Sequence, residues 1–118
     1  MLVTHGAAEL NQTAAELQQQ YGVQVQTIAK DLFELQAPFE VHEEVQTLGI
    51  QIDALVNDAG RGHYGAFPTT DIPRELDIIQ LNTGAYVTFT KLHWTAASRS
   101  QVLWILISST KPTWSAPD

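Results

Sequence analysis

The sequence predicts an α/β fold: a parallel sheet of the doubly wound kind, with helices on both faces in three layers. Three observations carry this. Amphipathic stripes with steps of three and four recur along the chain, two of them closed by a glycine. Each stripe is followed by a short β-branched or aliphatic run. The connections are short, so that right-handed crossovers give parallel strands.

The elements follow in order. Leu2, Val3 and Thr4 make a first short strand. Leu10, Ala14, Leu17 and Tyr21 share one face of a helix over 7–21, which Gly22 stops. Residues 23–29 alternate and then turn β-branched, as a strand does. Pro38 suits the first turn of a second helix that carries Val41, Val45 and Leu48 and stops at Gly49. Residues 52–56 are apolar apart from Asp53, the pattern of a strand covered on both faces. Gly60, Gly62, Gly65 and Pro68 then exclude regular structure until Asp71 caps a helix with Pro73 in its first turn. That helix is predicted to run over 71–98, carrying Leu76, Ile79 and Thr83 and passing through 87–90 towards Leu92. Residues 102–107 read as a last buried strand.

A chain of 118 residues, 44% hydrophobic, forms a single domain over 1–118. Six basic against thirteen acidic side chains give a net charge of -7. The cations are scattered singly, so neither a nucleic-acid nor an anionic membrane partner is expected. There is no cysteine, hence no disulfide framework and no thiolate metal site, which fits the cytoplasm. No apolar run is long enough to span a bilayer.

In doubly wound sheets ligands sit at the carboxyl ends of the strands. This singles out Asp31, the run Asn57-Asp58-Ala59-Gly60, and 108–110. Asn57 and Asp58 interrupt an apolar strand, and buried amides and carboxylates need partners; a structural turn and a binding turn are equally compatible with that. Gly60-Arg61-Gly62-His63-Tyr64-Gly65 matches G-x-G-x-x-G, but the residues after it remain irregular instead of opening a helix, so it reads as a loop beside the ligand and not a phosphate fingerprint. His5, His42, His63 and His93 lack metal-ligand spacing, and no metal is expected. Tyr86 and Lys91 stand about 140° apart on a helix, too far round to couple.

These residues resemble the short-chain dehydrogenase/reductase family. The run Ile52-Asp53-Ala54-Leu55-Val56-Asn57-Asp58-Ala59-Gly60 is similar to its fourth strand and Asn-Asn-Ala-Gly turn, with Asp58 in place of the second asparagine. Asp31-Leu32 resembles the pair after the third strand that cradles the adenine ring. Leu81-Asn82, with Asn82 25 residues after Asn57, resembles the segment with the catalytic asparagine. Ile107-Ser108-Ser109 resembles the end of the fifth strand, with Ser109 as the catalytic serine.

The resemblance implies a partial Rossmann-like domain running from the family's second strand to just after its fifth. It implies NAD(P)-dependent interconversion of a small-molecule alcohol and carbonyl by hydride transfer. Asn82 and Ser109 are then the catalytic residues, and Asp31, Leu32, Asn57, Ala59, Gly60 and His5 face the cofactor. His5 stands where a carboxylate would hold a ribose hydroxyl, which leans the choice to NADP over NAD. In the family a tyrosine passes the proton and a lysine four places on lowers its pKa. Tyr21, Tyr64 and Tyr86 are followed at that distance by Val25, Pro68 and Thr90. The glycine-rich phosphate loop and the first strand have no counterpart either, so the chain is expected to be a truncated piece, inactive alone. With the family's strand order the absent strand lies between Leu2-Val3-Thr4 and 52–56. Those two strands then either close up and pair or leave open edges that make the chain marginal or associating. The alternative to a fragment of an enzyme is a non-catalytic nucleotide-binding or dimerisation module, a homo-oligomer through the 71–98 helix.

Overall fold

The computed structural model describes residues 1–63, 65–96 and 103–106. Its elements are β1 (Leu2–Thr4), α1 (Ala7–Tyr21), β2 (Thr27–Ala29), α2 (Ala37–Thr47), β3 (Ala54–Asn57), α3 (Ile72–Ile79), α4 (Ala85–Ala96) and β4 (Leu103–Leu106). A 3-10 turn, Phe67–Thr69, precedes α3, and a π-helical turn, Gln80–Gly84, joins α3 to α4.

The four strands form two separate parallel pairs. β1 pairs with β2 in the register Leu2 to Thr27, and β3 pairs with β4 in the register Ala54 to Leu103. β1 and β3 do not bond to each other, so of the two arrangements the sequence left open, the split one is found. Leu2 N–H donates to the Gln26 carbonyl and Lys30 N–H to the Thr4 carbonyl. Because alternate residues of a parallel strand bond to opposite sides, the Val3 peptide faces away from β2.

One core joins the pairs across this split. Ile28, Leu32, Ala37, Val41, Val45, Leu81, Ala85 and Phe89 are buried together, and Val3, Ile52 and Leu55 pack against them. Each fully buried valine, Val41 and Val45, is worth about 1.5–3 kcal/mol of transfer free energy. α2 and α4 lie against each other, so the strand pairs are held by helices and not by a continuous ladder.

α1 matches its predicted span, and Gly22 takes the left-handed conformation with φ 65° while donating to the Gln18 carbonyl. Gly49 closes the second helix with φ 65°. Other boundaries differ from expectation. β2 begins only at Thr27 because its partner offers three residues, while Val25 N–H is satisfied by the Gln18 side chain. The strand expected at 52–56 is shifted to Ala54–Asn57, the four residues that face β4, and Ile52 packs into the core without joining the ladder. It is also covered on one face only: Leu55 faces the core, whereas Ala54 and Val56 are exposed, Val56 to 51%. Leu48 is exposed too, since α2 ends before it.

The helix expected over 71–98 is interrupted. Ala85 N–H donates to the Gln80 carbonyl five residues back, the signature of a π turn. A Cβ on residue 84 would collide with the Gln80 amide oxygen, so Gly84 gives the Gln80 side chain its place beside the turn. Asp71 caps α3 as expected, accepting from Arg74 N–H at 3.3 Å. No helix among the described residues is long and apolar enough to cross a membrane.

Candidate functional site

Parallel pairing places the carboxyl ends of β1 and β2 side by side, and the candidate residues gather in two groups, one there and one at the carboxyl end of β3. At the β1/β2 end, His5 is exposed after Thr4, and Asp31 is exposed with one carboxylate oxygen accepting from Phe33 N–H at 3.0 Å. Leu32 turns the other way, into the core at 8% exposure. The adjoining Lys30 binds Glu40 at 2.7 Å. That hydrogen bond, with the charge behind it, raises the lysine pKa and ties the end of β2 to α2.

At the β3 end, Asn57 is the last strand residue, 5% exposed, and the chain leaves the sheet without regular structure through Gly60 to Arg61. The helix above it grips this run at three places. Asn82 accepts from Arg61 N–H at 3.0 Å and donates to the Arg61 carbonyl at 2.9 Å. Tyr86 donates its hydroxyl to the Ala59 carbonyl at 2.6 Å. Thr90 Oγ1 lies 3.5 Å from Asn57 Nδ2, the outer limit for a hydrogen bond.

The spacing explains why the grip works. Tyr86 and Thr90 are four apart on α4, a rise of about 6.0 Å, and Asn82 precedes Tyr86 by the same four residues from within the π turn. Arg61, Ala59 and Asn57 are two apart in sequence, and extended backbone reaches about 6.6 Å per such step. Stripe and run therefore stay in phase for three rungs in opposite directions. The π turn lies at the first rung, where the extra residue per turn rotates Asn82 relative to α3.

The grip also settles the chemistry of Tyr86. Burial raises its pKa above the ordinary 10.0, and the Asp58 carboxylate raises it further. A phenol so placed is a donor to the turn and not a base. Lys91, expected on another face, is exposed.

Asn57, Ala59, Gly60 and Asn82 are thus brought together, and His5 and Asp31 share the neighbouring strand ends. Ser109, with Ser108, lies outside the described residues. Tyr86 and Thr90 were missed as partners of the turn; their four-residue step from Asn82 was the available signal. Arg61 was missed as well, because its side of the bond is backbone. Among the described residues no group of three or more His, Cys, Asp or Glu is placed to hold a metal.

The short chain dehydrogenase family model matches residues 1–114. The chain belongs to that family. It is 32% identical over 93 residues to a very-long-chain 3-oxoacyl-CoA reductase of Coprinopsis cinerea, covering 76% of this chain and 27% of that protein. A short-chain dehydrogenase from Sphingobium yanoikuyae in complex with NADPH superposes with TM-score 0.81 at 24% identity, over 92% of this chain and 43% of that one. L-sorbose reductase from Gluconobacter frateurii, complexed with NADPH and L-sorbose, gives TM-score 0.70 at 26% identity over 76% and 34%. The chain spans less than half the length of these relatives.

Proposed function

We propose that this chain is the central portion of an NAD(P)-dependent oxidoreductase that interconverts an alcohol and a carbonyl. It carries the adenosine side of the cofactor site and the brace of the catalytic asparagine. The observation that supports this most is the gripped turn: Asn82 fixes Arg61 by two hydrogen bonds at the carboxyl edge of the sheet.

The residues present fit the adenosine end of a dinucleotide. Asp31 keeps a carboxylate oxygen free for an exocyclic amine, and Gly60 is exposed where backbone must approach the ligand. His5, exposed at the end of β1, suits a 2'-phosphate better than a bare hydroxyl, and two of the similar structures hold NADPH; both favour NADP. When bound, the nicotinamide supplies the hydride chemistry. Since both ends of the Asn82 amide are engaged by Arg61, the side chain positions the turn, and any contact to a proton-relaying water falls to its backbone. Ser109 is the residue for the substrate oxygen.

The 118 residues contain no tyrosine with a lysine four places on, so this portion alone is expected to be inactive. The test is the nucleotide sequence on both sides of the reading frame. A Thr-Gly-x-x-x-Gly loop encoded upstream and Y-x-x-x-K downstream, in any frame, support the proposal. Finding neither would remove it.

One observation favours a second reading, a dimerisation module. Ile72, Leu76, Ile79, Val87 and Trp94 are each more than half exposed along the α3–α4 helix, an apolar stripe of the kind that pairs with a copy of itself. A monomer in sedimentation at all accessible concentrations would exclude it.

A further inference from the structure

Beyond the dinucleotide reading, and independent of it, the glycine-rich loop after the gripped turn contributes to a second feature. A cavity of about 220 Å³ opens beside it, lined by Phe33, Arg61, Arg74, Asp77 and Ile78. We propose that this cavity binds a phosphate monoester carried on a compact organic group, with Arg61 and Arg74 as the phosphate ligands.

Charge distribution is the first ground. The chain has only six lysines and arginines against thirteen carboxylates, yet two arginines from different elements line one small cavity. Neither forms an ion pair among the described residues, where Lys30 binds Glu40. Asp77 lines the same cavity without lying within ion-pair distance of either. Guanidinium groups left unpaired in an acidic protein suit an anion from outside it.

Preorganisation is the second. The Arg61 backbone is held on both its N–H and its carbonyl by Asn82. Arg74 is oriented through Nε, which donates to His63 Nδ1 at 3.2 Å, leaving its terminal nitrogens for a ligand. The Arg74 fork is thus steered without being consumed, and the Arg61 side chain springs from a fixed backbone.

Size and lining define the rest of the ligand. The volume is below the roughly 300 Å³ at which drug-sized sites begin, so it admits one moiety and excludes a whole dinucleotide. Phe33 offers an apolar wall and Asp77 an acceptor for hydroxyls. Together they describe a phosphorylated sugar or a single phosphate-bearing end of a larger molecule.

The test titrates the full chain with inorganic phosphate, followed by 31P line broadening. Arg61→Gln and Arg74→Gln alter exposed side chains, and unchanged circular dichroism verifies their fold. Each is expected to weaken binding about tenfold, the scale of a charge-assisted hydrogen bond. Lys91→Gln, which removes the same charge from an exposed site elsewhere, is expected to leave binding within about twofold. Competition by ribose 5-phosphate assigns the site to a free sugar phosphate. Competition by NADP⁺ but not NAD⁺ assigns the cavity to the cofactor's own monoester and overturns the proposal of a separate site. Equal loss in the lysine variant, unchanged binding in both arginine variants, or competition by neither compound overturns the proposal. NADPH binding elsewhere on the chain would leave this result untouched, so the two proposals fail separately.

Discussion

The two strand pairs are built alike and finished differently. β1 and β2 have packing on both faces: α1 lies over one, where the Thr27 hydroxyl donates to Asn11 Oδ1 at 3.2 Å and only Ala29 at the strand end is exposed, and Ile28 turns into the core at 2% exposure. β3 has the same parallel pairing but one cover. Leu55 meets the core while Val56, one residue on, stays 51% exposed. The difference teaches that apolar sequence does not by itself make a central strand. Burial is conferred by what packs on each face, and the stability of the β3 half comes from α4 and the gripped turn.

Matched substitutions in the two halves give the largest contrast. Ile28→Ala is expected to cost about 2–5 kcal/mol, the range for a large aliphatic removed from a tight core. Val56→Ala, the same kind of truncation on the open face, is expected to cost less than about 1 kcal/mol and to reduce association of the chain. Urea midpoints and sedimentation measure both; equal costs would mean that β3 is covered on both faces.

Asn82→Ala comes next. It strands the Arg61 N–H and carbonyl, at a cost of about 1–3 kcal/mol if they find no water. Amide exchange at Arg61 should rise while β1 and β2 keep their protection. Uniform loss of protection across both pairs would show that the grip is part of global folding and not local to β3.

The smallest effect is expected at the seam between α2 and α4, which serves both halves. The His42 and His93 rings meet edge to face with centroids 5.0 Å apart. His93 is buried with Nδ1 2.9 Å from the Phe89 carbonyl, and His42 Nδ1 is buried without a partner. Burial lowers the His42 pKa below its ordinary 6.5, and the neighbouring His93 lowers it further, against a small opposing pull from Glu43. The unfolded chain therefore takes up this proton more readily than the folded one. The stability is complete above about pH 6.5 and declines as the pH falls from there towards the lowered folded value. His42→Gln should flatten the urea midpoint between pH 7.0 and about 5.5, above the range where carboxylates titrate.

Much of this was legible in the sequence, for local reasons. The α1 stripe and Gly22 specify a helix and its stop within one segment, and Asp71 with Pro73 does the same for the start of α3. The strand ends were less legible because pairing decides them: Asn57 reads as a turn residue, yet it closes β3 opposite Leu106. The π turn was hidden because it depends on how the Gln80 amide sits against Gly84. In the site, Asn57, Ala59 and Asn82 stand out by motif. Tyr86 does not, because its partner is a backbone carbonyl 27 residues away.

The central claim is that the sheet is split, with helices and not hydrogen bonds joining β1 to β3. Native-state amide exchange at Val3 tests it most directly, read against Thr4 beside it and Ile28 across the pair. The split sheet predicts that the Val3 amide, facing away from β2, exchanges much faster than those of Thr4 and Ile28. Protection of Val3 equal to theirs would show a strand bonded along that edge and contradict the account.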